Sequence, residues 1–250
     1  AFRNRSAGCF SGECLVTLAD GRGTARVDAI RAGDAVAVPA FDGNGAAVGA
    51  AAGAAAVLAA RVACVIKIHA PAASPTCPPG HMDLCELPGG LRVSPYHPIW
   101  MSPDPAAAGD QGKGGRWCFP LDVVPARTVA CEAVYTFVLE APMVHADADA
   151  TRSYDTSGDK ARRGAAVIVN GTPAVTFAHG MRDPAGTDAG AGNACVLSHP
   201  YYGTEAVAAD LSDPAGPYGA QWAAGLVHVS ADAAVRDPAT GLVVSLRGAC

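Results

Sequence analysis

The stretch Gly8-Cys9-Phe10-Ser11-Gly12-Glu13-Cys14-Leu15-Val16-Thr17-Leu18-Ala19-Asp20-Gly21-Arg22-Gly23 is the most informative in the chain. Leu15, Val16 and Leu18 form an apolar run, Ala19 to Gly23 carries turn chemistry, and Ala25-Arg26-Val27 with Ile30 to Val36 resumes the run. Short apolar segments broken by Gly and Asp predict two short strands, a tight turn and a third strand. Cys9 stands just before them with Gly8 on its acyl side. A thiol suits attack on an amide carbonyl because a fraction of it is thiolate near neutral pH. Gly8 leaves the adjoining carbonyl unhindered and frees the backbone to take conformations other residues avoid.

Composition agrees with a mainly β chain. The 250 residues hold 29 glycines and 19 prolines, and much of the nominally hydrophobic half is alanine, which favours short strands and turns over long amphipathic helices. A net charge of −5 without a clustered basic run indicates neither nucleic acid nor an anionic membrane surface as a partner. No membrane span or targeting segment is visible, no compartment is signalled, and the reading calls for no cofactor. A chain that starts at Ala1 rather than Met reads as a fragment of something longer. Nine cysteines, an odd number, leave at least one thiol over for chemistry, metal or another chain.

On the N-terminal side of this stretch, residues 1–8 read as a flanking tail. On its C-terminal side, Phe41 to Gly45 is a turn signal, Ala46 to Ala60 an inserted Ala/Gly loop, and Val62 to Ile68 a β-branched strand. Cys77, His81 and Cys85 are spaced by three intervening residues, and Cys64 offers a fourth ligand, the donor types a tetrahedral zinc accepts. Pro78-Pro79 fall between them and no Cys-x-x-Cys pair accompanies them, so a disulfide or inert thiols is the expectation and zinc the lesser alternative.

Gly90-Leu91-Arg92-Val93-Ser94-Pro95-Tyr96-His97-Pro98-Ile99 is an alternating strand running into a proline-framed histidine. Ser94 and His97, three residues apart at a strand end, can present a hydroxyl and an imidazole to one small volume. The plain alternative is a histidine satisfied in a loop beneath Trp100. Arg116 to Val124 and Ala133 to Glu140 read as strands, a polar stretch from Ala146 to Arg163 follows, and Ala165 to Gly180 reads as strand, turn and strand ending on His179. Beyond Gly180 the composition shifts to Gly, Asp and Asn. Ala206 to Leu211 then reads as a helical turn or two, Leu226 to Val229 as a strand, and Val235 to Leu246 as a hairpin about Asp237 to Gly241.

The opening Cys9 to Gly21, with Gly33 to Val36 after it, resembles a Hint domain, the self-processing module shared by hedgehog proteins and inteins. Ser94-Pro95-Tyr96-His97 looks like that family's Thr-x-x-His motif with Ser in place of Thr, and Ala165 to Gly180 resembles its closing strands. His199-Pro200-Tyr201-Tyr202-Gly203-Thr204, with the Trp117 to Pro120 box, is similar to the Vint branch, Hint modules attached to von Willebrand A-type domains. The resemblance implies a Hint-like compact all-β fold over residues 9–180 and a small C-terminal α+β appendage over 181–250. It also implies an N–S acyl shift at Gly8-Cys9 with Cys9 as nucleophile, His97 as the acid that protonates the leaving nitrogen, Ser94 orienting the amide or the oxyanion, and His179 near the nucleophile. The substrate is then the chain's own N-terminal flank, and the acceptor is water or a small nucleophile.

Departures from the family pattern narrow this. Inteins typically end in Asn, whose side chain cyclises, whereas Gly180 follows His179, so cleavage without splicing is expected. Thr136 stands in the strand where many inteins carry an acidic group. Lys67 and His69 stand where hedgehog proteins carry the sterol-activating Asp, so sterol transfer is not expected. Two other readings compete: a catalytically silent Hint fold used as an interaction domain, and a cysteine hydrolase acting in trans through Cys9 or Cys14. Cys14 itself reads as a core thiol or as a redox partner of Cys9.

Overall fold

Asn170 and Gly171 both take left-handed backbone conformations, φ 48° and 76°, as the two-residue turn of a tight hairpin requires. The Asn170 side chain accepts from the Leu15 amide at 2.8 Å and donates to the Gly89 carbonyl at 2.8 Å, so this turn also ties the hairpin to the opening of the chain. The computed structural model describes residues 8–39, 57–72, 77–101, 115–140, 166–181 and 196–247. Most of the tail before Cys9, the turn at Phe41 to Gly45, and the polar stretches Ala146 to Arg163 and Arg182 to Asn193 lie outside the described residues.

In chain order the strands are β1 (Phe10–Ser11), β2 (Leu15–Thr17), β3 (Thr24–Arg26), β4 (Ala35–Pro39), β5 (Val57–His69), β6 (His81–Glu86), β7 (Arg92–Val93) and β8 (Ile99–Met101). Then come β9 (Arg116–Cys118), β10 (Arg127–Ala130), β11 (Ala133–Leu139), β12 (Ala166–Val169) and β13 (Thr172–Val175). The C-terminal part holds α1 (Glu205–Ser212), α2 (Gly219–Ala223), β14 (Leu226–Ser230), β15 (Ala234–Arg236) and β16 (Val243–Leu246). The fold is thus mainly β with a small helix-and-strand region at its C-terminal end. The opening strands form where the sequence predicts them, though Gly12 to Cys14 turn the chain so that β1 and β2 enter different sheets. One correction concerns Ala46 to Ala60: its last residues, Val57 to Ala60, are the start of β5 and pair with β4, because Val57 and Leu58 bring β propensity that the preceding Ala/Gly tract lacks.

One sheet runs β10-β6-β7-β1-β11-β5-β14, with β4 also on β5, and a second runs β3-β2-β12-β13-β8-β9. All of these strand pairings are antiparallel except β14 on β5, which is parallel. Successive residues of a strand face opposite sides, and β11 uses this to serve two cores. Tyr135, Phe137 and Leu139 pack with Phe10 and Val16 in the core between the sheets, while Val134 and Val138 pack with Cys9 in a second core. Tyr201, Tyr202, Val207, Leu211 and Val227 close that second core, so the C-terminal region buries the face that carries Cys9.

Candidate functional site

Ser94 to His97 is a four-residue turn with Pro95 at its second position, where a fixed φ is favoured, and the His97 amide donates to the Ser94 carbonyl at 3.1 Å. The turn grips Cys9 from both ends. The Cys9 amide N–H donates to Ser94 Oγ at 3.0 Å, and the Ser94 amide donates to the Cys9 carbonyl at 2.9 Å. The nitrogen held by Ser94 is that of the Gly8-Cys9 bond.

His97 is fully buried, its ring 4.4 Å from that of Phe10 and with Nε2 2.7 Å from the Val175 carbonyl oxygen. A carbonyl only accepts, so the hydrogen-bond network puts the ring proton on Nε2 and leaves Nδ1 with a lone pair. Nδ1 is buried and has no hydrogen-bond partner among the described residues. It lies against Gly8, where a side chain's Cβ would stand 3.2 Å from His97 Cγ and 3.3 Å from Nδ1, tight enough that the ring would have to give by a few tenths of an ångström. Glycine at position 8 therefore lets the imidazole face the bond. Burial pulls the His97 pKa down to about 4, against the Val175 carbonyl and the Cys9 backbone, which push it up, so the ring is neutral at pH 7.

Cys9 is also fully buried, and burial, with the nearby Cys131 thiol adding to it, pushes its pKa well above the ordinary thiol value. The expectation of partial thiolate at neutral pH fails for this physical reason: a thiolate there would be a charge in an apolar core. Any attack by Cys9 must transfer its proton as the bond forms.

His179 ends the segment after β13, next to Ala178, whose φ of 56° is left-handed. Its Nδ1 accepts from the Met181 amide at 3.1 Å, which assigns the proton to Nε2. Burial first, then electrostatic coupling to the His97 and His199 rings, lowers its pKa to about 3. His199, to which the sequence alone assigns no role, is held in the same way: its Nδ1 accepts from the Tyr201 and Tyr202 amides at 3.1 and 3.0 Å, and burial first, then Arg236, brings it down to about 4. A cavity of about 30 Å³ lies beside Gly8, with Phe177, His179, Leu197, His199 and Tyr202 among its walls. The structure thus brings together Gly8, Cys9, Ser94 and His97, with His179 and His199 across the cavity. His199 is legible in the sequence only as part of a box similar to the Vint branch, because its approach to Gly8 spans nearly the whole chain.

The remaining sequence candidates sit elsewhere. Cys14 belongs to the other core; its Sγ donates to the Arg92 carbonyl and accepts from the Arg92 amide, and burial lifts its pKa to about 11. Cys77 Sγ donates to the His81 carbonyl, His81 Nδ1 pairs with the Pro79 carbonyl, and Cys85 Sγ donates to the Val124 carbonyl. Among the described residues no three His, Cys, Asp or Glu side chains gather as a metal would need, and the seven described cysteines are free. Lys67 lies over the Tyr135 ring, and His69 pairs with His228 at 2.9 Å. Thr136 shares the face of β11 with Val134 and Val138; its hydroxyl is buried and has no partner among the described residues.

No curated protein matches the sequence. Solved structures that resemble the chain include a DnaB intein from Synechocystis sp. PCC 6803, at 10% identity and a TM-score of 0.34, covering 68% of this chain and 99% of that one. A variant of the Ssp DnaB mini-intein is similar at 11% identity and a TM-score of 0.35, covering 69% and 97%. The Vint family model, described as a Hint-domain, matches residues 8–245, from Gly8 through the C-terminal strands, and the chain belongs to that family.

Proposed function

We propose that this Hint domain processes itself by an N–S acyl shift at the Gly8-Cys9 bond and releases its N-terminal flank without splicing. The supporting observation is the grip on one amide: its N–H is held by Ser94 Oγ while the unpartnered Nδ1 of His97 faces Gly8. Cys9 Sγ bonds to the Gly8 carbonyl carbon, the carbon–nitrogen bond breaks, and the thiol proton ends on the Cys9 nitrogen. An amide nitrogen is a poor leaving group unless protonated, and His97 Nδ1, a bare lone pair at rest, takes the Cys9 thiol proton as the carbon–sulfur bond forms and passes it to that nitrogen, acting first as general base and then as general acid. With its N–H directed to Ser94, the nitrogen keeps its developing lone pair for that proton.

Gly180 after His179 supplies no side-chain amide to cyclise, which leaves a C-terminal scission without a nucleophile. Lys67 and His69 supply no carboxylate to deprotonate a sterol. A reporter fused before Gly8, incubated with hydroxylamine, with thiol and with sterol, tests all three points: release of the reporter alone is expected, and a spliced product or a sterol-bearing reporter contradicts the reading.

A second reading, a silent Hint fold serving as an interaction domain, is favoured by one observation: Cys9 is 0% exposed and its thiol is protonated. It predicts an intact fusion after prolonged treatment. That same burial speaks against a hydrolase acting in trans, which needs an accessible nucleophile.

A further inference from the structure

β14 lies parallel on β5, and that pairing attaches the C-terminal region to the rest of the fold. Val227 and Val229 point into the core that buries Cys9, so His228 between them points to solvent and is exposed. Its amide donates to Gln221 Oε1 at 2.8 Å, which lets α2 pin the backbone while the side chain stands in solvent. Across the pairing, half-buried His69 closes β5, and its Nε2 stands 2.9 Å from His228 Nδ1. The ring planes differ by 16°, and the 5.2 Å between centroids is what the N···N distance plus two ring radii gives, so the rings meet edge to edge. One nitrogen therefore donates to the other. Burial, then Lys67 on the same strand, then His228 hold the His69 pKa below its ordinary value, which keeps that ring uncharged at neutral pH.

A neutral imidazole is a common metal ligand, and two of them on adjoining strands offer two donors to one ion. Metal–nitrogen bonds of about 2.0–2.1 Å put donors at right angles about 2.9 Å apart and tetrahedral donors about 3.4 Å apart. The observed spacing matches the right angle that Cu(II) and Ni(II) prefer, rather than the tetrahedron of zinc. We propose that His69 and His228 together bind a divalent ion of that class, bridging β5 and β14. The donating ring moves its proton to its other nitrogen, and each ring turns its lone pair outward to the ion. Water fills the remaining positions, since two protein donors fall short of the closed set a structural metal has. Lys67, opposite His228 in the register and lying over the Tyr135 ring, is a charge that opposes the ion. The site is independent of the chemistry at Gly8-Cys9. Its consequence is mechanical: the ion fastens to β5 the strand that helps close the core over Cys9.

The probe is nickel(II), added to the 250-residue chain and to His228→Ala, a change at an exposed position. Calorimetric titration should give one tightly held ion per wild-type chain. The variant should bind about ten-fold more weakly or worse, no less than removal of an outer-sphere partner costs a metal site. At one equivalent no nickel–thiolate absorption should appear. Because an ion that binds only the folded chain stabilises it, about a hundred-fold excess over Kd should raise the wild-type Tm and leave that of His228→Ala in place. Lys67→Gln, which removes the opposing charge, should tighten binding. Equal affinity in wild type and His228→Ala, a thiolate absorption at one equivalent, or a wild-type Tm that nickel does not move would each overturn the proposal.

Discussion

His97 donates its Nε2 proton to the Val175 carbonyl oxygen at 2.7 Å. Val175 closes β13 and His97 ends the turn between β7 and β8 that holds Cys9, so this contact ties that turn to β13 and fixes the tautomer of the ring that faces Gly8. The neutral ring meets a neutral thiol. The proton that leaves Cys9 Sγ and the proton that reaches the Cys9 nitrogen therefore balance, and His97 need not be charged before the reaction starts.

Removing that ring removes the group that relays the thiol proton to the Cys9 nitrogen. His97→Ala should slow hydroxylamine-induced release by about a hundred-fold or more, the usual loss for a general acid. Ser94→Ala, which loses an orienting hydrogen bond, should slow it less. Single-turnover rates measure both, and a normal rate for His97→Ala removes the role assigned to the ring.

Acid should unfold the domain through its buried histidines. In the fold, burial keeps His97 and His179 neutral down to about 4 and about 3, while the ordinary value for a free ring is 6.5. Below pH 6.5 the unfolded chain binds protons that the fold refuses. Stability is therefore full above that pH and falls towards pH 4, by about 1.4 kcal/mol per pH unit for each ring. Urea midpoints across this window should decline, and less steeply in His97→Gln. Equal slopes would contradict the burial argument.

Gly203→Ala should disturb the site without touching Cys9. The new Cβ meets His179 Nε2 at 2.9 Å and the Leu197 carbonyl at 3.2 Å, so His179 must move. Overpacking of this kind costs about 1–3 kcal/mol. Thermal unfolding should show that loss, and a variant as stable as wild type would mean the turn has slack.

Thr136→Val should stabilise. Its hydroxyl is buried with no partner among the described residues, and valine keeps the shape without the polar atom. A gain of about 1 kcal/mol is expected from relieving that desolvation. Denaturant unfolding measures it, and a loss of stability would show that the hydroxyl is hydrogen-bonded in solution.

Much of the fold is legible in the sequence because the signals are local. Pro95 between Ser94 and His97 announces the turn that grips Cys9, Asn170-Gly171 announces the β12 to β13 hairpin, and Thr204, whose hydroxyl accepts from the Ala206 amide, starts α1. The hidden part depends on contacts distant in sequence. Nothing local to Cys9 says that Tyr201, Tyr202 and Val227 will bury it, since that depends on β14 pairing with β5 across more than half the chain. Burial in turn sets the proton state of Cys9 and His97, so local sequence gives the position of the thiol correctly and its ionisation wrongly. Pairing of Cys14 with Cys9 fails for a similar reason: the turn at Gly12 to Cys14 sends Cys14 into the opposite core.

Sequencing the N-terminus of the large fragment after hydroxylamine treatment, alongside Cys9→Ala, bears on the whole scheme at once. We expect a new N-terminus at Cys9 in the wild type and an uncut Cys9→Ala chain. An uncut wild type, a cut at any other bond, or equal cleavage in Cys9→Ala would contradict processing at Gly8-Cys9.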